Sequence, residues 1–393
     1  MKRPGNTLGL YIHIPFCKSK CLYCDFYSLP RSETMMDRYT AVLCKHLSER
    51  ASHAVGRSVD TVYFGGGTPS YLGAQRLTRL LACIKEHFHL ERDTEITLEA
   101  NPESLHDTET VQVLRRAGFN RISLGVQSAN DEELRAVGRI HTFEQVRRAV
   151  AAIREGGIEN LSLDLIYGLP GQTMESWQRT VETVAALAPE HLSCYGLKVE
   201  EGTPLYAMQD SLTLADDDQQ ADMYLWTAKY LAQTGYEHYE ISNFARSGHF
   251  SRHNMKYWML EEYMGFGPGA HSDFGGVRYS YVRDLAAYCA CVESGSDDLI
   301  DQREQITPQE RTTEYLMLGL RTARGIDQES FEQRFGLPFA PIEAVLEQFR
   351  KSGHAVNENG RWHLTAEGFL LSNAIILAVL DKISDLSYNN HLE

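Results

Sequence analysis

The chain alternates short apolar runs, rich in β-branched and aromatic residues, with longer segments whose apolar residues recur at three- and four-residue spacing. The longer segments, such as those beginning at Gln75 and Phe143, predict amphipathic helices. Repeated β/α units imply a parallel sheet, and six units rather than eight predict an α/β fold with an incomplete (β/α)6 barrel. The short runs that predict the six strands are LGLYIHI at 8–14, VDTVYF at 59–64, TEITLEA at 94–100, NRISLGV at 120–126, IENLSLDLI at 158–166 and HLSCYGLKV at 191–199.

This rhythm ends near residue 240, which predicts a barrel at 1–240, a connecting segment at 241–306 and a C-terminal domain at 307–393. The pattern assigns no fold to the connecting segment. In the last domain, helical patterns precede GHAVNENGRWHLTAEG, where two short strands flank Asn359-Gly360 and a helix follows from about Ala366. Helices with a hairpin predict a winged-helix-like domain.

Composition and charge narrow the class of protein. Hydrophobic residues make up 43% of the 393 residues and charged residues 23%, as in a folded protein. The net charge of -15 and the lack of a basic stripe argue against a nucleic-acid partner, so a structural or lid role is favoured for the C-terminal domain. No apolar run reaches the length of a membrane span, and the start, MKRPGNTLGL, resembles no signal peptide. We expect a cytoplasmic protein.

Cys17, Cys21 and Cys24 form a C-x3-C-x2-C array directly after the first predicted strand. Three thiolates on one loop can bind a [4Fe-4S] cluster and leave one iron open. The amino and carboxylate groups of S-adenosylmethionine (SAM) suit such an open position. The alternative is a zinc site, which would need a fourth ligand such as His13 or a distant residue.

Glycine and polar residues follow the next strands. Gly65–Pro69 follows the second strand, and Glu99 with Asn101-Pro102 closes the third. Gln127 follows the fourth strand, Asp164 lies near the end of the fifth and Tyr195-Gly196 lies within the sixth. Strand ends of one polarity form one rim of a parallel barrel, so these residues are predicted to converge. The glycines expose backbone amide and carbonyl groups to a ligand, although a tight turn and helix-capping carboxylates are the simpler alternatives.

Six sequence blocks occur in an order that resembles the HemN/HemW branch of the radical SAM proteins. They are YIHIPFCKSKCLYCDF, YFGGGTPS, LEANPE, RISLGVQS, VGRIH and LDLIYGLPGQT. The resemblance covers nearly the whole chain, whereas Tyr195-Gly196 and the Gly269–His271 region match less closely. It implies that SAM contacts Tyr11, Gly66, Gly67, Thr68, Glu99, Gln127, Arg139 and Asp164, with Tyr23 near the adenine.

Two activities exist within this branch, and two departures favour one of them. The oxygen-independent coproporphyrinogen III dehydrogenase has a fourth cysteine where this sequence has Phe26, and a longer N-terminal extension than the ten residues before Tyr11. Both departures resemble the haem-chaperone members. The segment HNMKYW at 253–258 resembles their HNxxYW motif, which implies His253 as an iron ligand. Met255 is a candidate second ligand, because methionine and histidine both ligate haem iron. In the simpler alternative, Tyr257 and Trp258 of this segment belong to the core and His253 makes a structural hydrogen bond.

The resemblance therefore implies a protein that binds haem and passes it to an acceptor haemoprotein, such as a respiratory haemoprotein. The protein would contact a membrane-associated acceptor only transiently. Its cluster and SAM would set the conformation or homodimer state that permits transfer. The alternative is the dehydrogenase, in which a 5'-deoxyadenosyl radical starts the oxidative decarboxylation of two propionates of coproporphyrinogen III. A radical SAM enzyme for another substrate ranks below both. Most of the remaining cysteines, Cys44, Cys83, Cys194, Cys289 and Cys291, are predicted to be buried and inert.

Overall fold

The computed structural model describes residues 6–30 and 32–389. Residues 1–5, 31 and 390–393, which fall within the predicted first and last domains, lie outside the described residues. The chain forms two compact units. The first contains residues up to 223 with 251–256 and 261–305, and the second contains 224–250, 257–260 and the chain from 306. The predicted connecting segment is therefore divided between the two units.

Six parallel strands form the centre of the first unit and lie side by side in chain order. Each overlaps one of the six predicted strands, so the predicted (β/α)6 arrangement is confirmed. Their bounds are β1 Thr7–Ile14, β2 Ser58–Gly66, β3 Leu90–Ala100, β4 Arg121–Gln127, β5 Asn160–Tyr167 and β6 His191–Gly196.

Helices connect these strands, and local signals determine where they begin. The side chain of Asp107 accepts hydrogen bonds from the first turn of helix Thr108–Ala117. Thr142 and Thr173 form capping boxes at the starts of helices Phe143–Glu155 and Met174–Ala185. The helices predicted from Gln75 and Phe143 correspond to Ala74–His87 and Phe143–Glu155. The bounds are α1 Glu33–Arg50, α2 Ala74–His87, α3 Thr108–Ala117, α4 Asp131–Ala136, α5 Phe143–Glu155 and α6 Met174–Ala185.

The strands have two chemically different faces. On β1, Leu10 and Ile12 are fully buried, as are Val62 and Phe64 on β2. The alternate positions carry polar groups, among them Thr61. Because successive side chains on a strand point to opposite faces, the apolar set supplies the core and the polar set lies on the other face of the sheet. That polar face carries the candidate site.

The segment for which the sequence pattern assigned no fold contributes further strands to the first unit. Strand β7, Tyr263–Phe266, pairs in parallel with β1 on the side away from β2. Strands β8 His271–Phe274, β9 Val277–Tyr281 and β10 Ile300–Gln305 then continue the sheet in antiparallel fashion. Helix Arg252–Trp258 precedes β7 in the sequence, and helix Leu285–Ser294 lies between β9 and β10.

The second unit contains the predicted hairpin. Strands Ala355–Glu358 and Arg361–Leu364 are antiparallel, and Ile326–Asp327 adds a third strand. Asn359 and Gly360 have φ values of 55° and 85°, as a two-residue hairpin turn requires. A further antiparallel pair is Glu237–Glu240 with Asn243–Ala245. The helices of this part of the chain are Pro308–Gly319, Gln328–Phe335, Ala340–Lys351, Ala366–Leu370 and Ser372–Asn389.

The remaining elements are short, apart from helix Asp217–Gln233. Strands Phe16–Cys17 and Leu29–Pro30 form a parallel pair, and Pro204–Met208 is helical. Single 3-10 turns occur at Ala51–Ala54, Pro69–Leu72, Gln209–Ser211 and Asp297–Leu299. Within residues 6–30 and 32–389, no helix has the length and apolar character needed to cross a membrane.

Candidate SAM and cluster site

The three cysteines of the C-x3-C-x2-C array lie close together in the chain: Cys17 ends the strand Phe16–Cys17, and Cys21 and Cys24 lie on the loop between it and its paired strand Leu29–Pro30. All three are free, partly exposed thiols. Burial raises the pKa of the Cys17 and Cys24 thiols, and Cys21 lies close enough to raise both pKa values further. The loop thus gathers three soft sulfur ligands in one place.

The glycine-rich loop after β2 packs directly against the first of these cysteines. The Gly67 N–H donates to the Ile14 carbonyl (2.9 Å), and the Thr68 N–H donates to the Phe16 carbonyl (2.8 Å). The Thr68 Oγ1 lies 3.3 Å from the Cys17 Sγ. A Cβ at position 67 would lie only 3.0 Å from that sulfur, so a side chain there would occupy the space beside it. Glycine keeps this space open.

This arrangement fits a [4Fe-4S] cluster with one iron open for SAM. Three neighbouring thiolates are the ligands that such a cluster uses. Within the described part of the chain, no group of three or more His, Cys, Asp or Glu side chains is placed so that it could hold a single metal ion. His13, the fourth ligand considered for zinc, places its Nδ1 3.1 Å from the Tyr11 hydroxyl, and burial lowers its pKa to about 4. When bound, the cluster supplies an open iron for SAM and an electron that can cleave its sulfonium.

The N–H groups of the glycine loop are already used inside the protein. The Gly66 N–H donates to the Glu99 Oε2 (3.1 Å), which adds to the two hydrogen bonds of Gly67 and Thr68. Gly66 has a φ of 120°, and a Cβ there would lie 2.7 Å from the His13 ring. The loop can therefore present carbonyl oxygens, the acceptors that an amino group requires, whereas the sequence allowed amides as well.

Glu99, at the end of β3, is held in a fixed orientation. Its Oε1 accepts a hydrogen bond from the Tyr63 hydroxyl (2.7 Å), while its other oxygen, Oε2, accepts the hydrogen bond from the Gly66 N–H. Burial raises the Glu99 pKa to about 7, and the nearby Asp164 also raises it, against these two hydrogen bonds. The helix-cap alternative for Glu99 is wrong, because Asp107 caps the following helix α3.

Asp164, on β5, is also held by hydroxyl groups. It accepts hydrogen bonds from the Ser123 Oγ (2.9 Å) and the Ser162 Oγ (3.0 Å). Burial raises its pKa, and these donors oppose that shift. Because Thr173 caps the following helix α6, Asp164 is likewise free of a capping role.

The side chains of Arg139 and Gln127 both lie close to the backbone of Gly125, which has no side chain of its own. A Cβ at Gly125 would lie 2.9 Å from the Arg139 Nη2 and 3.0 Å from the Gln127 Nε2. The Arg139 Nη1 donates to the Asn101 Oδ1 (3.0 Å), and Tyr23 lies near the Arg139 side chain. The Arg139 Nε is buried without a hydrogen-bond partner among the described residues. An unpaired buried donor is what an adenine or ribose acceptor could satisfy.

The structure thus groups most of the predicted site residues, Asn101 included, and it adds Tyr63, Ser123 and Ser162, which the sequence reasoning missed. The alternation of β2 could have revealed Tyr63, since it shares a strand face with Gly65. Of the less close matches, Tyr195 is 42% exposed at the end of β6, and Gly269–His271 lies at the start of β8.

The predicted haem motif begins inside the first unit. His253 is fully buried, with its Nδ1 2.8 Å from the Thr61 Oγ1 and its ring stacked on Tyr63 at 5.1 Å. Its backbone N–H donates to the Glu95 Oε1 (3.0 Å). Burial lowers the His253 pKa to about 3, so the ring is neutral. The imidazole is therefore part of the packed sheet face.

The next residues of the motif differ in exposure. Lys256 is 2% exposed and forms ion pairs with Asp60 (2.8 Å) and Glu261 (3.0 Å). Met255 is partly exposed. Of the two predicted iron ligands, Met255 is the more accessible.

Comparisons with known proteins agree with this site. The family model described as Radical SAM superfamily matches residues 11–184, and the HemN C-terminal domain model matches residues 306–371. The solved structure titled "Coproporphyrinogen III oxidase (HemN) from Escherichia coli is a Radical SAM enzyme" superposes with a TM-score of 0.83 at 28% identity, covering 96% of this chain and 91% of that one. The fold and the three-cysteine site define a radical SAM protein.

Two curated relatives specify the family more closely. "Heme chaperone HemW" of Lactococcus lactis subsp. lactis is 38% identical over 379 residues, which is 95% of this chain and 97% of the relative. The protein of the same name from Bacillus subtilis is 35% identical over 377 residues, which is 95% of this chain and 99% of the relative. The chain belongs to the HemW family.

Proposed function

We propose that this protein binds haem and delivers it to an acceptor haemoprotein, as a chaperone that carries SAM on a [4Fe-4S] cluster. The observation that carries this proposal is the likeness to proteins named heme chaperone along 95% of the chain. Cys17, Cys21 and Cys24 would hold the cluster. The residues proposed to contact SAM are Tyr11, Tyr23, Gly66, Gly67, Thr68, Glu99, Gln127, Arg139 and Asp164.

A short series of contacts supports a coupling between SAM and the haem motif. The His253 ring stacks on Tyr63, the Tyr63 hydroxyl donates to Glu99, and Glu99 accepts the N–H of Gly66 in the glycine loop. Tyr63 therefore contacts both the motif and a residue proposed to bind SAM. Through it, SAM binding at Glu99 would favour one arrangement of His253.

Replacing Tyr63 with phenylalanine tests this coupling. The variant keeps the aromatic ring on His253 but loses the hydrogen bond to Glu99. In the wild-type holoprotein we expect SAM to change the haem affinity by about fivefold or more. In Tyr63→Phe we expect that ratio to fall towards one, as measured by Soret titrations with and without SAM.

Tyr279→Phe, on β9, is the matched control. It also removes a tyrosine hydroxyl from a strand, and it should leave the effect of SAM on haem affinity unchanged. An unchanged SAM effect in Tyr63→Phe would reject this route for the coupling. If SAM has no effect on haem affinity even in the wild type, the coupling itself is wrong.

Iron ligation by His253 stays a prediction, and it would require the imidazole to move from the position that it has in this structure. The imidazole must leave Thr61 and Tyr63 before it can reach haem iron, because it is fully buried as it stands. We expect His253→Ala and Met255→Ala each to weaken haem binding and shift the Soret band. SAM affinity and thermal unfolding of each variant separate a lost ligand from a damaged barrel. Undiminished haem binding in both variants would place the haem site elsewhere.

The dehydrogenase is the second candidate, and the HemN structure with a TM-score of 0.83 favours it. Against it, Phe26 replaces the fourth cysteine and is 64% exposed. An anaerobic assay of the cluster-reconstituted protein with SAM, a reductant and coproporphyrinogen III decides between them. Protoporphyrinogen in excess of one equivalent per chain would establish the dehydrogenase. The chaperone predicts no product from a preparation with an intact cluster, together with a Soret shift on adding haem.

A cytoplasmic location, transient contact with a membrane-associated acceptor and a homodimer remain predictions. Size measurement by light scattering, with and without haem, tests the dimer directly. An equal mass under both conditions would remove the dimer from the proposed mechanism.

A further inference from the structure

Three of the five cysteines outside the cluster loop contradict the prediction that most are buried. Cys194 and Cys289 are buried, whereas Cys44, Cys83 and Cys291 are partly exposed. Local sequence spacing could not reveal this, because the exposure of each thiol depends on the helix packed beside it. Two of the partly exposed thiols are in contact with each other.

Cys44 on α1 and Cys83 on α2 face each other across two neighbouring helices. The Cys83 Sγ lies 3.4 Å from the Cys44 carbonyl oxygen and close to the Cys44 thiol, so its single proton can be donated to either of them. Ion pairs from Arg76 on α2 to Glu33 (2.7 Å) and Asp37 (2.6 Å) on α1 hold the same two helices together. Each cysteine lies about two helical turns beyond the Arg76–Asp37 pair on its own helix, so both pairs follow one seam.

The two thiols are chemically different. The hydrogen bond from Cys83 lowers the pKa of Cys44, with a further contribution from the positive charge of Arg79. The same hydrogen bond raises the pKa of Cys83, and burial adds to that rise. Cys44 is therefore the better nucleophile, and Cys83 remains a protonated thiol beside it. By contrast, burial raises the pKa of Cys289 to about 11.

We propose that Cys44 and Cys83 form an oxidisable dithiol, with Cys44 as the peroxide-reactive thiol and Cys83 as the resolving thiol. In the first step, the Cys44 thiolate attacks hydrogen peroxide, which gives a sulfenic acid and releases hydroxide. In the second step, the Cys83 sulfur attacks the Cys44 sulfur, a disulfide forms and water leaves. In sum, two thiols lose two electrons and two protons, and one peroxide becomes two waters.

The disulfide would join α1 to α2 reversibly. In a reducing compartment, a disulfide of this kind would be transient and redox-sensing rather than structural. The site does not depend on haem or SAM, so it stands or falls separately from the proposed function.

Peptide mapping of the holoprotein tests this proposal. The protein is treated anaerobically with graded hydrogen peroxide, alkylated and digested without reductant. We expect a Cys44–Cys83 cross-linked peptide, lighter by two hydrogens than the sum of its parts, that a thiol reductant removes. It should form at lower peroxide than is needed to release iron from the cluster. In Cys83→Ser, a dione probe should label Cys44 as sulfenic acid, whereas Cys291→Ser should leave the cross-link unchanged.

Alkylation of the untreated wild-type protein provides a test that needs no variant. We expect iodoacetamide to modify Cys44 about tenfold faster than Cys291 at neutral pH. Equal rates, or peroxide treatment that yields no cross-link before the cluster is lost, would overturn the proposal. Labelling of Cys83 in preference to Cys44 would reverse the assigned roles.

Discussion

Cys24→Ser, reconstituted anaerobically with iron and sulfide, is expected to retain fewer than about one iron per chain, where the parent protein takes up about four. The physical reason is that only three thiols are available for the cluster, so the loss of one leaves two irons without a protein ligand. SAM affinity should fall with the cluster, because the open iron disappears. Iron and sulfide analysis with visible absorption near 400 nm measures the effect.

Cys291→Ser is the matched control for this experiment. Cys291 is also a free, partly exposed cysteine, but it lies on helix Leu285–Ser294 away from the three-cysteine loop in the sequence. Its replacement should leave the iron content unchanged. If Cys24→Ser holds as much iron as Cys291→Ser, the assignment of the cluster to this loop is wrong.

Glu99→Gln is expected to weaken SAM binding about 10- to 100-fold, which is the usual effect of losing a hydrogen bond to a charged group. An ionised carboxylate accepts hydrogen bonds from the hydroxyl and amino groups of SAM more strongly than a neutral side chain does. The shape of glutamine is nearly the same, so the Tyr63 hydroxyl can still find an oxygen. Equilibrium dialysis of the holoprotein with labelled SAM measures the change.

The raised pKa of Glu99 also predicts how this affinity depends on pH. With a pKa of about 7, the carboxyl is mostly protonated at pH 6 and mostly ionised at pH 8. SAM should therefore bind about tenfold more tightly to the wild type at pH 8 than at pH 6. In Glu99→Gln this dependence should be absent.

Glu132→Gln, an exposed substitution on α4, is the control and should behave as the wild type does. A pH dependence that persists in Glu99→Gln would assign the titration to another group. An affinity that Glu99→Gln leaves unchanged would remove Glu99 from the SAM site.

The sequence by itself determined the barrel and the loop of three cysteines that we propose as cluster ligands. The strand around Tyr11 and the helix from Phe143 were predictable because their periodicity is a property of a few adjacent residues. Cys17, Cys21 and Cys24 were predictable for the same reason, since one short loop carries all three. Asn359-Gly360 likewise encodes its own hairpin turn.

Only the tertiary structure decided which distant residues meet. Tyr263–Phe266 gives no stronger local signal than other short apolar runs, yet it pairs with β1 because that strand edge is open to it. Tyr63 became a candidate only when His253 and Glu99 were found on either side of it.

The same limit applies to single thiols and imidazoles. Cys44 and Cys83 contact each other because two helices pack side by side. His253 is buried on the sheet, where Thr61 and Glu95 hydrogen-bond its ring and its backbone N–H. Local patterns fix which element forms and which face is apolar. Contacts between elements far apart in the chain depend on how those faces pack, and a local sequence pattern does not determine that packing.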